Sequence, residues 1–200
     1  MEGREVRENL KFAQAVNKVL KVFYYAGLAA LVLLACLAAF ALFGPEGVFQ
    51  PERFSGRLFT FELNGIVRFQ VGGGQLDGSG SLRRVYLSIA LAAAVYDLLF
   101  LYLLRRLRGL LETVVAKNPF HRGNPRRIRD LGSAVTAAAF LIPGANSYVA
   151  WQMIRSFNLT GFSVLYTPDL KLVFAGLLLL ILSAVFDYGC YLQEEMDQIV

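Results

Sequence analysis

The sequence predicts an all-α membrane protein with four transmembrane helices and a small extracytoplasmic β-hairpin insertion. Hydrophobic residues make up 56% of the 200 residues and charged residues only 18%, and the apolar residues gather into four long segments. A helix needs roughly 20 apolar residues to cross about 30 Å of hydrocarbon, and it pairs its backbone polar groups internally. Each segment is long enough to span, so residues 1–200 are expected to form a single integral membrane domain.

The apolar segments and the residues between them set the predicted boundaries. The spans cover residues 22–43, 85–104, 131–154 and 172–192, and the second helix is expected to continue to 117. They separate an N-terminal arm (1–21), an outer loop (44–84), a cytoplasmic connector (118–130), a second outer loop (155–171) and an acidic tail (193–200). Asn118-Pro119 ends the second helix because a residue before proline disfavours the helical conformation, whereas Asn124-Pro125 suits the start of the third.

The arm before the first span shows helical periodicity. Apolar residues recur at three- and four-residue steps, at Val6, Leu10, Ala13, Val16 and Leu20. The pattern is typical of an amphipathic helix in the headgroup layer, and it fits a helical extension of the span equally well. A cleaved signal peptide is less favoured, since the apolar run is long and the arm mixes acidic with basic residues.

The first outer loop carries a hairpin signal. Residues 57–71, RLFTFELNGIVRFQV, hold two runs rich in β-branched and aromatic residues on either side of Asn64-Gly65. Asn-Gly predicts a two-residue type I′ turn, because both turn positions need positive φ. An isolated hairpin is marginally stable in water, so we expect a third strand from residues 162–166, and the glycine-rich stretch 72–81 is typical of a flexible tether.

Proline and polar residues interrupt the third span. Pro143-Gly144 is expected to kink or break the helix and to free backbone carbonyl groups. Asn146 and Ser147 follow directly and are placed to satisfy those groups. A structural kink is therefore the favoured interpretation.

Lysine and arginine are unevenly distributed among the loops. The arm holds five and residues 105–130 hold eight, against five in the first outer loop and two in the second. Because basic residues gather on the cytoplasmic side, both termini and the connector are expected to be cytoplasmic in a multi-pass protein of the cell membrane. Arg83 and Arg84, beside the second span, weigh against this orientation.

Two stretches of the chain resemble a known family. KNPFHRGNPRRIRDLG, residues 117–132, is similar to the G-N-P-F…N…LR-I-G signature of a bacterial membrane family known as domain of unknown function 2975. LSAVFDYGCYLQEEMDQIV, residues 182–200, resembles the ending of that family, and the layout of four spans with one long outer loop matches as well. The chain departs from the family at Lys117, where Gly is frequent, and at Gln198, where Thr is expected.

The resemblance implies a partner but no reaction. Members are often encoded beside small helix-turn-helix regulators, which implies that a cytoplasmic regulator of this kind binds the membrane protein. His121 is the only histidine and has no Cys or His neighbour at ligand spacing, so we expect no metal, no cofactor and no catalytic residues.

Two acidic residues lie inside predicted spans. Asp97 is about seven residues and Asp187 about five residues from the cytoplasmic end of its span, which suggests similar depths. A carboxylate there is costly unless it is protonated, paired or hydrated. The two acids are thus a candidate intramembrane polar site for protons or cations; alternatively, each is hydrogen-bonded across helices or paired with an arginine such as Arg105 or Arg129.

Three arginines crowd the first turn of the predicted third helix. Arg126, Arg127 and Arg129 face the positive end of the helix dipole, so this end attracts an anion. An anionic phospholipid headgroup or an acidic partner surface is the candidate ligand, although the positive-inside bias alone also explains the arginines. The acidic tail lies on the same side of the membrane and either clasps the connector or stays solvated.

These observations favour a non-enzymatic regulatory or interaction protein that works through its basic cytoplasmic connector. Direct nucleic-acid binding is not expected, since the placement of the basic residues follows the membrane topology. A small transporter or an ion- or proton-conducting subunit using Asp97 and Asp187 is the alternative. The sequence leaves the oligomeric state open.

Overall fold

The described residues of the chain form four long α-helices and one pair of β-strands. The structure is a computed structural model that describes residues 2–49, 58–63, 67–72, 82–116, 118, 120–158 and 163–199. The helices are α1 (Glu2–Phe43), α2 (Arg83–Val115), α3 (Asn124–Ser156) and α4 (Leu170–Ile199). A short 3-10 helix, Glu46–Val48, follows α1, and strands β1 (Leu58–Leu63) and β2 (Val67–Gly72) precede α2.

Three of the four helices are long and apolar enough to cross a membrane. They are Ala13–Phe43 within α1, the whole of α2, and Leu170–Met196 within α4. Only 11%, 28% and 11% of their most apolar stretches are buried, so most of that surface has no partner among the described residues. A water-soluble helix hides its apolar face, so these outward apolar faces identify a membrane protein.

Helix α3 does not meet the same criterion of length and hydropathy. It is 33 residues long, but its middle contains Pro143-Gly144 and Asn146, which lower the mean hydropathy. The structure therefore supports three candidate spans rather than the four that the sequence predicts.

The helices are longer than the predicted spans. Helix α1 continues unbroken from Glu2, so the arm is a helical extension of the first span. Helix α2 ends at Val115, close to the predicted end, and α3 begins at Asn124 as expected. Helix α4 continues to Ile199, so the acidic tail is the last part of that helix.

Strands β1 and β2 pair antiparallel. Their register runs from Leu58 opposite Gly72 to Leu63 opposite Val67. The last pair leaves three residues between the strands, whereas the predicted turn at Asn64-Gly65 needs two; residues 64–66 and the tether at 73–81 lie outside the described residues. No third strand joins them within the part of the chain that is described, and residues 163–169 have no regular secondary structure.

The chain divides into two compact units. The first contains Met1–Ala30, Asp97–Phe140 and Pro168–Val200, and the second contains Leu31–Tyr96 and Leu141–Thr167. In the second unit, a cluster of buried apolar side chains links the end of α1 to α2 and α3; its members are Ala41, Phe49, Leu82, Val85 and Phe157.

Arg83 fixes the end of α1 in this second unit. Its guanidinium donates to the carbonyl groups of Leu42, at 3.2 Å, and Gly44, at 2.5 Å, and lies 5.3 Å from the centre of the Phe49 ring. The last carbonyl groups of a helix lack intrahelical partners, and a cation there complements the helix dipole. Arg83 thus has a structural role that is independent of membrane orientation.

Helix α3 passes through Pro143 without a break. Proline cannot donate to the carbonyl group four residues earlier, and this group, of Ala139, accepts the Asp169 N–H at 3.0 Å. The sequence assigned this compensation to Asn146 and Ser147, but Asn146 accepts a hydrogen bond from Tyr96 and Ser147 donates to Leu165. The partner of the freed carbonyl group is therefore distant in sequence.

Candidate functional site

One face of α4 holds the connector in the first unit. Ser183, Phe186, Cys190 and Glu194 are spaced by three or four residues, which places them on the same side of the helix. Each contacts a residue between Phe120 and Pro125. We call these four residues the α4 stripe.

Two buried groups of the α4 stripe bind the connector backbone. Ser183 is 2% exposed, and its hydroxyl donates to the Pro125 carbonyl at 2.7 Å. The Cys190 thiol donates to the Phe120 carbonyl at 3.1 Å. Because buried carbonyl groups are costly without partners, these bonds favour one conformation of the connector backbone.

An aromatic contact and an ion pair complete the stripe. The rings of Phe120 and Phe186 lie 6.0 Å apart. The Arg122 guanidinium donates to both carboxylate oxygens of Glu194, with Nη2 at 2.6 Å from Oε2, and this hydrogen bonding raises the pKa of Arg122 above its usual value. The sequence left open whether the acidic tail contacts the connector or stays solvated, and in the structure the tail contacts the connector through this ion pair.

Helix α2 holds the other side of the connector. The Asn124 side-chain amide donates to the Thr113 hydroxyl at 2.7 Å, and Arg127 donates to the Gly109 carbonyl at 2.6 Å. Arg127 also donates to the Asn124 side chain at 3.1 Å. Helices α2 and α4 therefore fix the connector from two sides.

The three arginines of the predicted anion site do not share one environment. Arg127 is half-buried against Gly109, which has no side chain to block the guanidinium. Arg126 and Arg129 are exposed and form no hydrogen bond or ion pair with the described residues. Arg127 is thus part of the helix packing, and only Arg126 and Arg129 present free cations.

Asp97 lies at a close approach of α1 and α2. Gly27 is buried, and a Cβ atom added to it would lie 3.2 Å from Asp97 Oδ1 and 2.8 Å from Leu101 Cδ2. Asp97 Oδ2 is buried and has no hydrogen-bond partner among the described residues. Neither Arg105 nor Arg129 pairs with it, and the ion pair between α2 and α3 joins Arg106 to Asp130 at 2.9 Å.

Asp187 does not lie at the depth of Asp97. It is exposed, one turn beyond Ser183 and next to Phe186, so it is level with the connector. Asp97 is nine residues, about 13 Å along α2, from Arg106 on the side away from the connector. The structure therefore corrects the expectation of equal depth and does not bring the two carboxyl groups together.

Sequence reasoning missed most of the α4 stripe. It assigned no role to Phe186 or Cys190. The spacing of three, four and four residues was a readable signal of a shared helix face. The apolar surroundings concealed it, because every position on a membrane helix is expected to be apolar.

Comparisons with known proteins identify the family but no function. The model of the family described as "Protein of unknown function (DUF2975)" matches residues 74–200. No curated protein and no solved structure matches the chain. The matched residues include α2, the connector, α3 and α4, hence every part of the site except Gly27. The chain therefore belongs to the DUF2975 family.

Proposed function

We propose that this chain is a multi-pass protein of the bacterial cell membrane with cytoplasmic termini and connector. In this topology α3 also crosses the membrane, as the third of four spans, and the β1–β2 pair is an extracytoplasmic hairpin. The excess of basic residues in the arm and connector supports the orientation. The structural role of Arg83 removes one of the two basic residues that weigh against it.

The favoured function is that of a non-enzymatic regulatory or interaction protein that works through the connector. The observation that carries this proposal is that residues 120–127, the end of the loop and the first turn of α3, are held by contacts from both α2 and α4. A loop that merely joins two spans needs no such support, whereas a preorganised surface loses less entropy when a partner binds. The resemblance to DUF2975 favours a helix-turn-helix regulator as the cytoplasmic partner.

Site-specific photocrosslinking in native membranes tests this function. A photoreactive residue at the exposed His121 is expected to capture a cytoplasmic protein, and one at Leu165, which is 82% exposed, serves as the matched control. Charge reversal of Arg122 is expected to abolish the crosslink at His121. Equal capture at both positions, or no capture at His121 in native membranes, would refute the proposal.

The second candidate is a transporter or conducting subunit that uses Asp97. The buried, unpartnered Asp97 Oδ2 favours it, since an unsatisfied carboxylate in a membrane helix is a common feature of ion pathways. Asp187 contributes less, because it is exposed at the level of the connector. Proton or cation flux in liposomes that is lost in Asp97→Asn would favour this candidate over the first.

A further inference from the structure

Helix α3 carries an exposed stripe that begins with the two free arginines. Arg126, Arg129, Ser133, Ala137 and Phe140 are all exposed, and their spacing of three or four residues places them on one face. We call them the α3 stripe. Its cytoplasmic end is cationic, and the remainder is small or apolar.

The packing of α3 against α4 sets the depth of these arginines. Ser183 binds the Pro125 carbonyl, and Gly176 approaches Gly132 so closely that a Cβ on Gly132 would lie 2.9 Å from the Gly176 carbonyl oxygen. Arg126 and Arg129 lie between Pro125 and Gly132. They are therefore level with residues 177–182 of α4.

At this level α4 turns apolar side chains outward. Leu178, Ile181 and Leu182 are 50%, 62% and 42% exposed. They belong to a helix that is long and apolar enough to span a membrane, so acyl chains suit their exposed surface. A ligand that reaches the two guanidinium groups must therefore combine an anionic group with an apolar body.

We propose that the α3 stripe binds an anionic phospholipid. The phosphate accepts hydrogen bonds from Arg126 and Arg129, and an acyl chain lies along Ser133, Ala137 and Phe140. Arginine binds phosphate oxygens through two parallel donors, a geometry that suits a lipid phosphate. The proposal rests on the membrane orientation under Proposed function, and it assigns the lipid to a surface separate from His121 and Arg122.

Native mass spectrometry of the full chain tests the proposal. The purified protein in detergent is titrated with phosphatidylglycerol or with phosphatidylcholine of identical acyl chains. We expect phosphatidylglycerol to bind about thirtyfold more tightly, the scale set by two basic residues beside a headgroup of net negative charge, because the choline group of the other lipid neutralises its phosphate. The variant Arg126→Gln/Arg129→Gln is expected to lose this preference, and Arg126→Lys/Arg129→Lys to retain part of it.

A control variant at a similar depth distinguishes a specific lipid site from general electrostatic attraction to anionic lipid. Arg105 is exposed and adjacent to Arg106, whose ion pair with Asp130 places it near the level of Arg129. Arg105→Gln is expected to change the lipid preference less than twofold, which is within the effect of a distant surface charge. An equal loss in Arg105→Gln, or no loss in the double variant, would overturn the proposal.

Two further arms identify the source of the phosphate and the kind of partner. Glycerol 3-phosphate at the same concentrations is expected not to displace the lipid; displacement would show that the site binds a soluble phosphate. If the double variant loses the His121 crosslink and the wild type shows no lipid preference, the two arginines bind the protein partner and not a lipid. If the double variant keeps the crosslink but loses the lipid preference, the two arginines bind lipid and the protein partner binds elsewhere.

Discussion

Two close helix approaches in the first unit depend on glycine, yet they differ in how their polar groups are satisfied. Where α3 meets α4, Gly132 and Gly176 allow the backbones to approach, and the neighbouring Thr136 hydroxyl donates to the Gly132 carbonyl at 2.9 Å. Where α1 meets α2, Gly27 makes room for Asp97, whose Oδ2 has no partner. The first approach is complete as a structural contact, whereas the second retains an unsatisfied group.

This difference separates a packing role from a candidate functional role. Small residues let membrane helices pack closely, and nearby polar groups are normally hydrogen-bonded there. A buried carboxylate oxygen without a partner lowers stability, so its retention needs another reason. Changes at the two approaches should therefore have different consequences.

The largest effect is expected at the approach of α3 and α4. In Gly176→Val the Cβ would lie 2.8 Å from the Gly132 carbonyl oxygen and 2.9 Å from the Thr136 nitrogen, both backbone atoms that cannot move aside. We expect the free energy of unfolding to fall by about 3 kcal/mol, at the upper end for overpacking. Thermal unfolding in detergent measures this loss.

Gly144→Ala is the matched control for that experiment. Its Cβ would have Tyr166 Cε2 as nearest neighbour, at an ordinary contact distance of 3.8 Å. Alanine also has the higher helix propensity, so stability should be unchanged or rise by up to about 1 kcal/mol. Equal losses in the two variants would mean that the α3–α4 approach is not as close as described.

A smaller effect is expected from Gly27→Ala at the approach of α1 and α2. The Cβ would lie 2.8 Å from Leu101 Cδ2, the end of a flexible side chain, and 3.2 Å from Asp97 Oδ1. Leu101 can change rotamer, so we expect a loss of about 1 kcal/mol. Comparing the free energy of unfolding of this variant with that of Gly176→Val ranks the two approaches. A larger loss of this free energy in Gly27→Ala would reverse the ranking.

The sequence predicts local features of this fold well. The start of α3 at Asn124 and the end of α2 near Asn118-Pro119 follow from properties of one or two neighbouring residues. Hydropathy likewise locates α1, α2 and α4, since crossing lipid requires a long apolar run. These signals are contained in a few consecutive residues.

Contacts between distant residues were not predictable in the same way. The partner of the carbonyl group freed by Pro143 is the Asp169 N–H, which depends on where α4 begins relative to α3. The depth of Asp187 depends on the same register, because Ser183 meets Pro125. The longitudinal position of one membrane helix against another is set by packing, which hydropathy does not report.

Asp97→Asn tests whether the unpartnered carboxylate is a structural liability. The amide has the same shape and no charge, so we expect the free energy of unfolding to stay the same or rise by up to about 1 kcal/mol. Chemical unfolding of wild type and variant at pH 7 measures the change. A loss of more than about 2 kcal/mol would show that the carboxylate has a favourable partner, such as a bound cation, and would favour the transport function.

The smallest effect is expected from Glu194→Gln, at a polar contact that is satisfied but solvated. Its partner Arg122 has a side chain that is 80% exposed, and exposed ion pairs add little to stability, so the unfolding temperature should not change measurably. Hydrogen exchange at connector amides such as Gly123 should nevertheless become faster, and high salt should have the same effect on the wild type. Glu112→Gln, which removes an ion pair within α2, is the control and should leave connector exchange unchanged. A clear fall in the unfolding temperature of Glu194→Gln alone would mean that the tail stabilises the whole fold rather than the connector.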